Sequence, residues 1–211
     1  MKAVRIYAEP AEIEDRLAQF GLVKADFFPV IEQVVAARAD TIPIDAAGAA
    51  GQKAYLAGVR HSRLMLMSKG YIPDSTGRIE SSLHPETGVK IVYQNVDLAC
   101  SKAKGPQAIS GKGPAADRMI EKAQGFLFQL DDIPEAINSK VLNNAVWFLC
   151  VAVNGESVTA ELSLPVSIEN QNFGRFVERI FLVKSGEWDP TKVAPLPSAN
   201  DDYELVISRK E

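Results

Sequence analysis

The sequence predicts an α+β fold, with a helical N-terminal region followed by a mainly antiparallel sheet with packed helices. Three observations predict it. The first seventy residues hold three segments with apolar residues at helical spacing, whereas from Tyr71 onward turn chemistry and alternating apolar residues take over. Further along, Asn154-Gly155 stands between two long apolar runs as a hairpin turn. At 211 residues, 46% hydrophobic and 24% charged, the chain can bury one sizeable core. A single domain over 1–211 is expected, helical over 1–70 and mixed over 71–211.

The first helix is expected from Pro10 to Phe20, with Glu12, Glu14 and Asp15 early, where the helix dipole favours them, and Gly21 as a stop. A second runs from Asp26 to Ala39, since Pro29 fits a first turn and Phe27, Val30, Ile31, Val34 and Val35 repeat in phase. Thr41 to Gly48 reads as a linker. A third helix, Gly51 to Lys69, gathers Tyr55, Leu56, Val59, Leu66 and Met67 on one face, with Arg63 among them, Arg60 at the edge and His61 opposite.

Ile79–Leu83 and Val89–Tyr93 form a hairpin across His84–Gly88, and the slip of apolar phase to Val96 and Leu98 suggests a bulge near Asn95. The loop Ser101–Pro114 leads to a helix over Ala115–Gln124, and Asp132–Lys140 reads as a short helix. Strands follow over Ala145–Val153 and Glu156–Leu164. Pairing Val153 with Glu156 puts Trp147, Leu149 and Val151 on one dense face with Val158, Ala160 and Leu162, and sets Glu161 opposite Phe148. Phe173–Val183 opens as an amphipathic helical turn, with Phe173, Phe176, Val177, Ile180 and Phe181 on one side. A proline-rich stretch, 190–197, leads to a last strand over Tyr203–Ile207.

A net charge of −4 and a pI near 5.4 argue against a surface given over to DNA or an anionic membrane, but allow a local basic patch. The two cysteines, Cys100 and Cys150, lie at no metal-binding spacing and read as buried thiols in a reducing compartment. No apolar run approaches the ~20 residues of a membrane helix, and the N-terminal residues do not read as a secretion signal. A cytoplasmic protein that does not engage a membrane is expected.

The loop 101–114 is the main candidate for chemistry. It carries Lys102, Lys104 and Lys112, has no acid before Asp117, and its Ser110-Gly111-Lys112-Gly113 stretch precedes a helix. Glycines let backbone N–H groups approach a phosphate, and a helix start adds positive potential. An anionic ligand, nucleic acid or protein partner would bind here; the competing reading is a solvated surface loop. It is not a Walker loop, because five residues separate Gly105 from Gly111 and Gly113 stands where a serine or threonine would hold magnesium. Arg63, on an apolar helix face, requires a partner, and Glu161 is the carboxylate expected to supply it, in a site or in a structural ion pair. Asp97, at a strand end, could join Glu161 in holding a metal, but Glu161-Leu162-Ser163 lacks the lysine of a nuclease-type Glu-x-Lys. His61 and His84 are the only histidines and read as surface residues, and no resident metal site or cofactor is named by the residues.

Gly48–Gly51, Tyr55, Val59-Arg60-x-x-Arg63-Leu64, Gly70-Tyr71, Ser110–Gly113, Leu127-Phe128 and Ala160-Glu161-Leu162-Ser163-Leu164-Pro165 together resemble an uncharacterised protein family associated with bacterial genomic islands and prophages. That resemblance implies a bacterial, intracellular origin and carries no catalytic activity. The expected function is therefore a non-enzymatic binding or accessory protein of a mobile-element or phage-conflict system that contacts a phosphate-bearing or acidic partner. The alternative is a metal-dependent phosphoryl-transfer or nuclease-like hydrolase, with Asp97 and Glu161 as ligands, Lys112 on the phosphate and Arg63 on the developing charge.

Overall fold

The computed structural model describes residues 4–111, 113–125 and 143–189. Its elements are β1 (Arg5–Tyr7), α1 (Pro10–Ala18), α2 (Phe27–Ala39), α3 (Ala49–Met67), β2 (Ile72–Asp74), β3 (Ser81–Leu83), β4 (Lys90–Asn95), α4 (Pro114–Gly125), β5 (Val146–Asn154), β6 (Ser157–Pro165), β7 (Ile168–Glu169), β8 (Asn172–Phe173) and β9 (Phe176–Val183). Seven strands form one sheet in the order β1-β9-β6-β5-β4-β3-β2, and β7-β8 form a small second one. Among the described strands only β1–β9 and β4–β5 pair in parallel, so the fold is the α+β arrangement the sequence predicts. No helix among the described residues is long and apolar enough to cross a membrane.

Two apolar layers sandwich the sheet. On one face Trp147, Leu149, Val151, Ala160, Leu162 and Ile180 meet Ile13 and Leu17 of α1, Phe27 and Ile31 of α2, and Leu66 of α3. On the other, Val146, Phe148 and Cys150 meet Ile120 of α4 together with Phe173 and Phe176. Burial on both faces explains the continuous apolar runs of β5 and β6.

Several expectations are corrected. Val153 pairs with Val158 and Asn154 with Ser157, so the hairpin turn is Gly155-Glu156. Gly155 sits at φ +60° and Asn154 is not at positive φ, which matches the turn that wants glycine first rather than Asn-Gly. The faces survive this two-residue shift, but Glu161 lies opposite Cys150, and Phe148 opposite Ser163. Phe173–Val183 is not helical: after β8 and a break at Gly174, Phe176–Val183 is a strand buried along its whole length. Its apolar residues mimic helical spacing because Glu178 and Arg179, in its middle, are buried as ion pairs.

The bulge is also displaced. β4 runs in unbroken register with β5 as far as Asn95↔Val151, while the irregularities fall between β6 and β9, at Ala160/Glu161 and Leu164/Pro165. Ile91 to Gln94 are all buried, which erases the alternation that a half-exposed strand would show. On α3 the buried strip is Ala54, Gly58, Ser62 and Leu66, and Leu56, Leu64 and Met67 are 68%, 57% and 51% exposed. Small residues four apart, rather than the bulkiest apolar ones, set the packing face. The short strands β1 and β2 carry too few residues for a periodicity to announce them. Asp132–Lys140, Leu127-Phe128, Tyr203–Ile207 and Lys112 lie outside the described residues.

Candidate functional site

The seating of α3 builds the site. Gly58 faces the ring of Tyr93, and a side chain there would collide with it. The Tyr93 hydroxyl donates to Asn95 Oδ1 (2.8 Å), and Asn95 Nδ2 donates to the carbonyl of Gly51 (2.9 Å), tying the first turn of α3 to the end of β4. Beyond Val92, β3 has ended. The next pairing on that edge is Val96 with Ala108, flanked by the Ile109 N–H bonding the Asn95 carbonyl (3.1 Å). Tyr93 and Gln94 lie between these two pairings. Above them lies a cavity of about 980 Å³, at the upper end of the size of small-molecule sites.

Two helix starts open into it. α3 begins after Gly48, at φ +83°, without a side-chain cap; its first turn bonds Gln52 N–H to Gly48 O, leaving the N–H groups of Ala50 and Gly51 over. At the start of α4, Ala116 and Asp117 both donate to the Gly113 carbonyl, and the N–H of Ala115 is left over. Each start directs a partial positive charge into the cavity. Arg38, from the last turn of α2, and Arg78, at φ +63° in the 3-10 turn Thr76–Arg78, line the same space. Neither arginine bonds a described carboxylate, and among the described residues no Asp or Glu lines the cavity, in a chain with a net charge of −4. Burial pushes the Tyr93 hydroxyl far above its ordinary range, while nearby Arg38 pulls the other way.

Of the residues expected to hold an anion, Ser110, Gly111 and Gly113 line this cavity, and Lys112 lies outside the described residues. Lys102 is exposed and does not line it, and Lys104 is engaged by Asp97 (2.8 Å). The Asp97 carboxylate also accepts the Gln107 N–H (2.8 Å). Although its partial burial works the other way, these hydrogen bonds hold its carboxyl below the ordinary range.

Arg63 and Glu161 do not meet. Arg63 donates to Glu80 (2.7 Å) and to the carbonyls of Asp74 (2.9 Å) and Ser81 (3.3 Å), in the β2–β3 turn against which α3 packs. Glu161 faces the opposite side of the sheet. It is fully buried and gripped by Arg179 through two bonds of 2.7 and 2.6 Å, by the Ser163 hydroxyl (2.6 Å) and by the Cys100 N–H. Arg179 also donates to the Ser101 carbonyl (2.7 Å), so this pair straps the Cys100–Ser101 segment onto the sheet. Cys100 stands at φ +58°, its thiol pushed up to about 12 by burial and by Glu161. His84 packs edge-on against Tyr71, and His61 is half-buried, its pKa lowered by burial and by Arg60. Among the described residues no three of His, Cys, Asp and Glu stand together as a metal-holding group.

Sequence reasoning missed Arg38, Arg78 and Asn95. Arg38 and Arg78 stand forty residues apart and share no motif; only the Gly48–Gly51 glycines hinted at a helix start worth approaching. No family model, curated protein or solved structure matches the chain.

Proposed function

We propose that the protein binds a small phosphate-bearing ligand in the cavity between the starts of α3 and α4, as a binding protein rather than a catalyst. One observation carries the reading: Arg38, Arg78 and the starts of α3 and α4 meet at a cavity that no carboxylate among the described residues lines. Such a site favours an anion by charge and by hydrogen bonding together, since backbone N–H groups and guanidinium forks suit phosphate oxygens. The hydrolase alternative would need Asp97 and Glu161 free for a metal, and both are committed to Lys104 and Arg179.

Isothermal titration with inorganic pyrophosphate tests this. Arg38→Ala and Arg78→Ala should each weaken binding roughly 10- to 100-fold, the loss of one charge-assisted contact of about 1.5–3 kcal/mol. Lys102→Ala should leave it unchanged, and rising salt should weaken it in the parent. Unaltered affinity in both arginine variants would sink the proposal.

A further inference from the structure

The cavity does not end at the arginines. A second one, of about 850 Å³, opens along the other flank of α4, and Gly77 and Ala115 line both. The two cavities therefore meet at residues whose side chains are no larger than a methyl group. Leu83, Pro85, Met119 and Val146 wall the second cavity, and among the described residues that line it there is no aromatic ring and again no carboxylate. Arg118 and Lys122, one turn apart on α4, are exposed at its rim, and neither bonds a described carboxylate. Lys90 also lines it but is neutralised by Asp74 at 2.7 Å.

We propose that this second cavity receives the aliphatic chain of the ligand, which makes the ligand an anionic amphiphile. Its phosphate sits between the starts of α3 and α4, and its hydrocarbon tail passes between Gly77 and Ala115. The inference rests on the phosphate reading above and adds the tail to it. Aliphatic walls and an adaptable methionine suit a chain, whereas a nucleobase would call for a ring to stack on, and none of the described residues lining this space supplies one. The cationic rim complements a negatively charged amphiphile and disfavours a cationic one.

The test is titration with methyl, butyl and octyl phosphate, each below its aggregation concentration. Affinity should rise about threefold to fourfold for each methylene that becomes buried. Met119→Trp, which fills the second cavity, should flatten that rise and leave methyl phosphate binding intact; Leu83→Trp, which fills it from another wall and does not line the phosphate cavity, should do the same should the first variant fail to fold. Arg38→Ala should weaken all three ligands alike. Methyl phosphate binding with no gain along the series would overturn the tail and spare the phosphate reading, as would a gain that persists in both filled variants. No binding by any of the three would overturn both.

Discussion

Gly58→Ala sets helix propensity against packing, and the structure decides the sign. In an exposed helix interior alanine is favoured over glycine by about 1 kcal/mol. Here a Cβ would lie 2.5 Å from Tyr93 Cε2 and nearer still to Cζ and Cε1, where ordinary carbon contacts are about 3.5–4 Å. The ring is 2% exposed, and its hydroxyl is committed to Asn95, so it yields only by leaving that bond. Overpacking costs about 1–3 kcal/mol and the hydrogen bond about 1 kcal/mol, so Gly58→Ala should be net destabilising by about 1–3 kcal/mol. Urea unfolding followed by tryptophan fluorescence reads this as a lowered midpoint at constant slope. Adding Tyr93→Ala should make the double variant less damaged than the two losses summed. Gly51→Ala, whose Cβ would meet nothing within 4 Å, should be neutral or slightly stabilising. A Gly58→Ala protein as stable as its parent would refute the view that α3 needs a missing side chain to reach β4.

Arg179→Met takes both guanidinium bonds from fully buried Glu161 and leaves it, among the described residues, the Ser163 hydroxyl and Cys100 N–H as donors, and should cost about 3–5 kcal/mol. The double variant Glu161→Leu with Arg179→Met should lose less than the single one, and additive losses in thermal unfolding would contradict this. Burial works to raise the Asp74 carboxyl, but hydrogen bonds from Lys90, Thr76 and Ser81 outweigh it and hold the group well below its usual range. Its contribution is therefore fully present above an unfolded-state pKa of about 3.9 and is lost as pH falls toward the folded value. Asp74→Asn should be less stable near neutrality and lose less stability on acidification; parallel acid profiles would count against the assignment. Because burial and Glu161 push the Cys100 thiol up to about 12, a disulfide-exchange reagent at mildly alkaline pH should label Cys100 only as the protein unfolds. Rapid labelling of the native protein would show that the strap over Cys100 is open.

What the sequence made legible follows from how locally each feature is encoded. The helices α1, α2 and α4 carry their own periodicity and stops, and the β5–β6 hairpin carries both strands and turn in one stretch. The strand β9 was hidden because its charges are neutralised by partners far away: Arg16 lies 162 residues from Glu178, and Glu161 lies 18 from Arg179. Arg63, on its helix face, does need a partner, but Glu80 is within reach across a turn and Glu161 lies behind the sheet. In the candidate site, Ser110, Gly111 and Gly113 could be found from composition and position alone. Arg38 and Arg78 could not, because what distinguishes them is the absence of a neighbouring acid among the described residues, a property of the folded surface.

The parallel pairing of β1 with β9 ties Arg5 to Glu178 and Tyr7 to Ile180. Nearly the whole described chain must therefore be made before the first strand has a neighbour, a wait of order ten to thirty seconds at about 5–20 residues per second. During synthesis α1 can form but cannot be fixed through Arg16 to Glu178, since that glutamate has yet to emerge. The contact order of this one edge predicts that completion of the sheet, rather than formation of its helices, is the slow step of folding. Time-resolved proteolysis of nascent chains arrested before and after residue 183 would show the edge locking late.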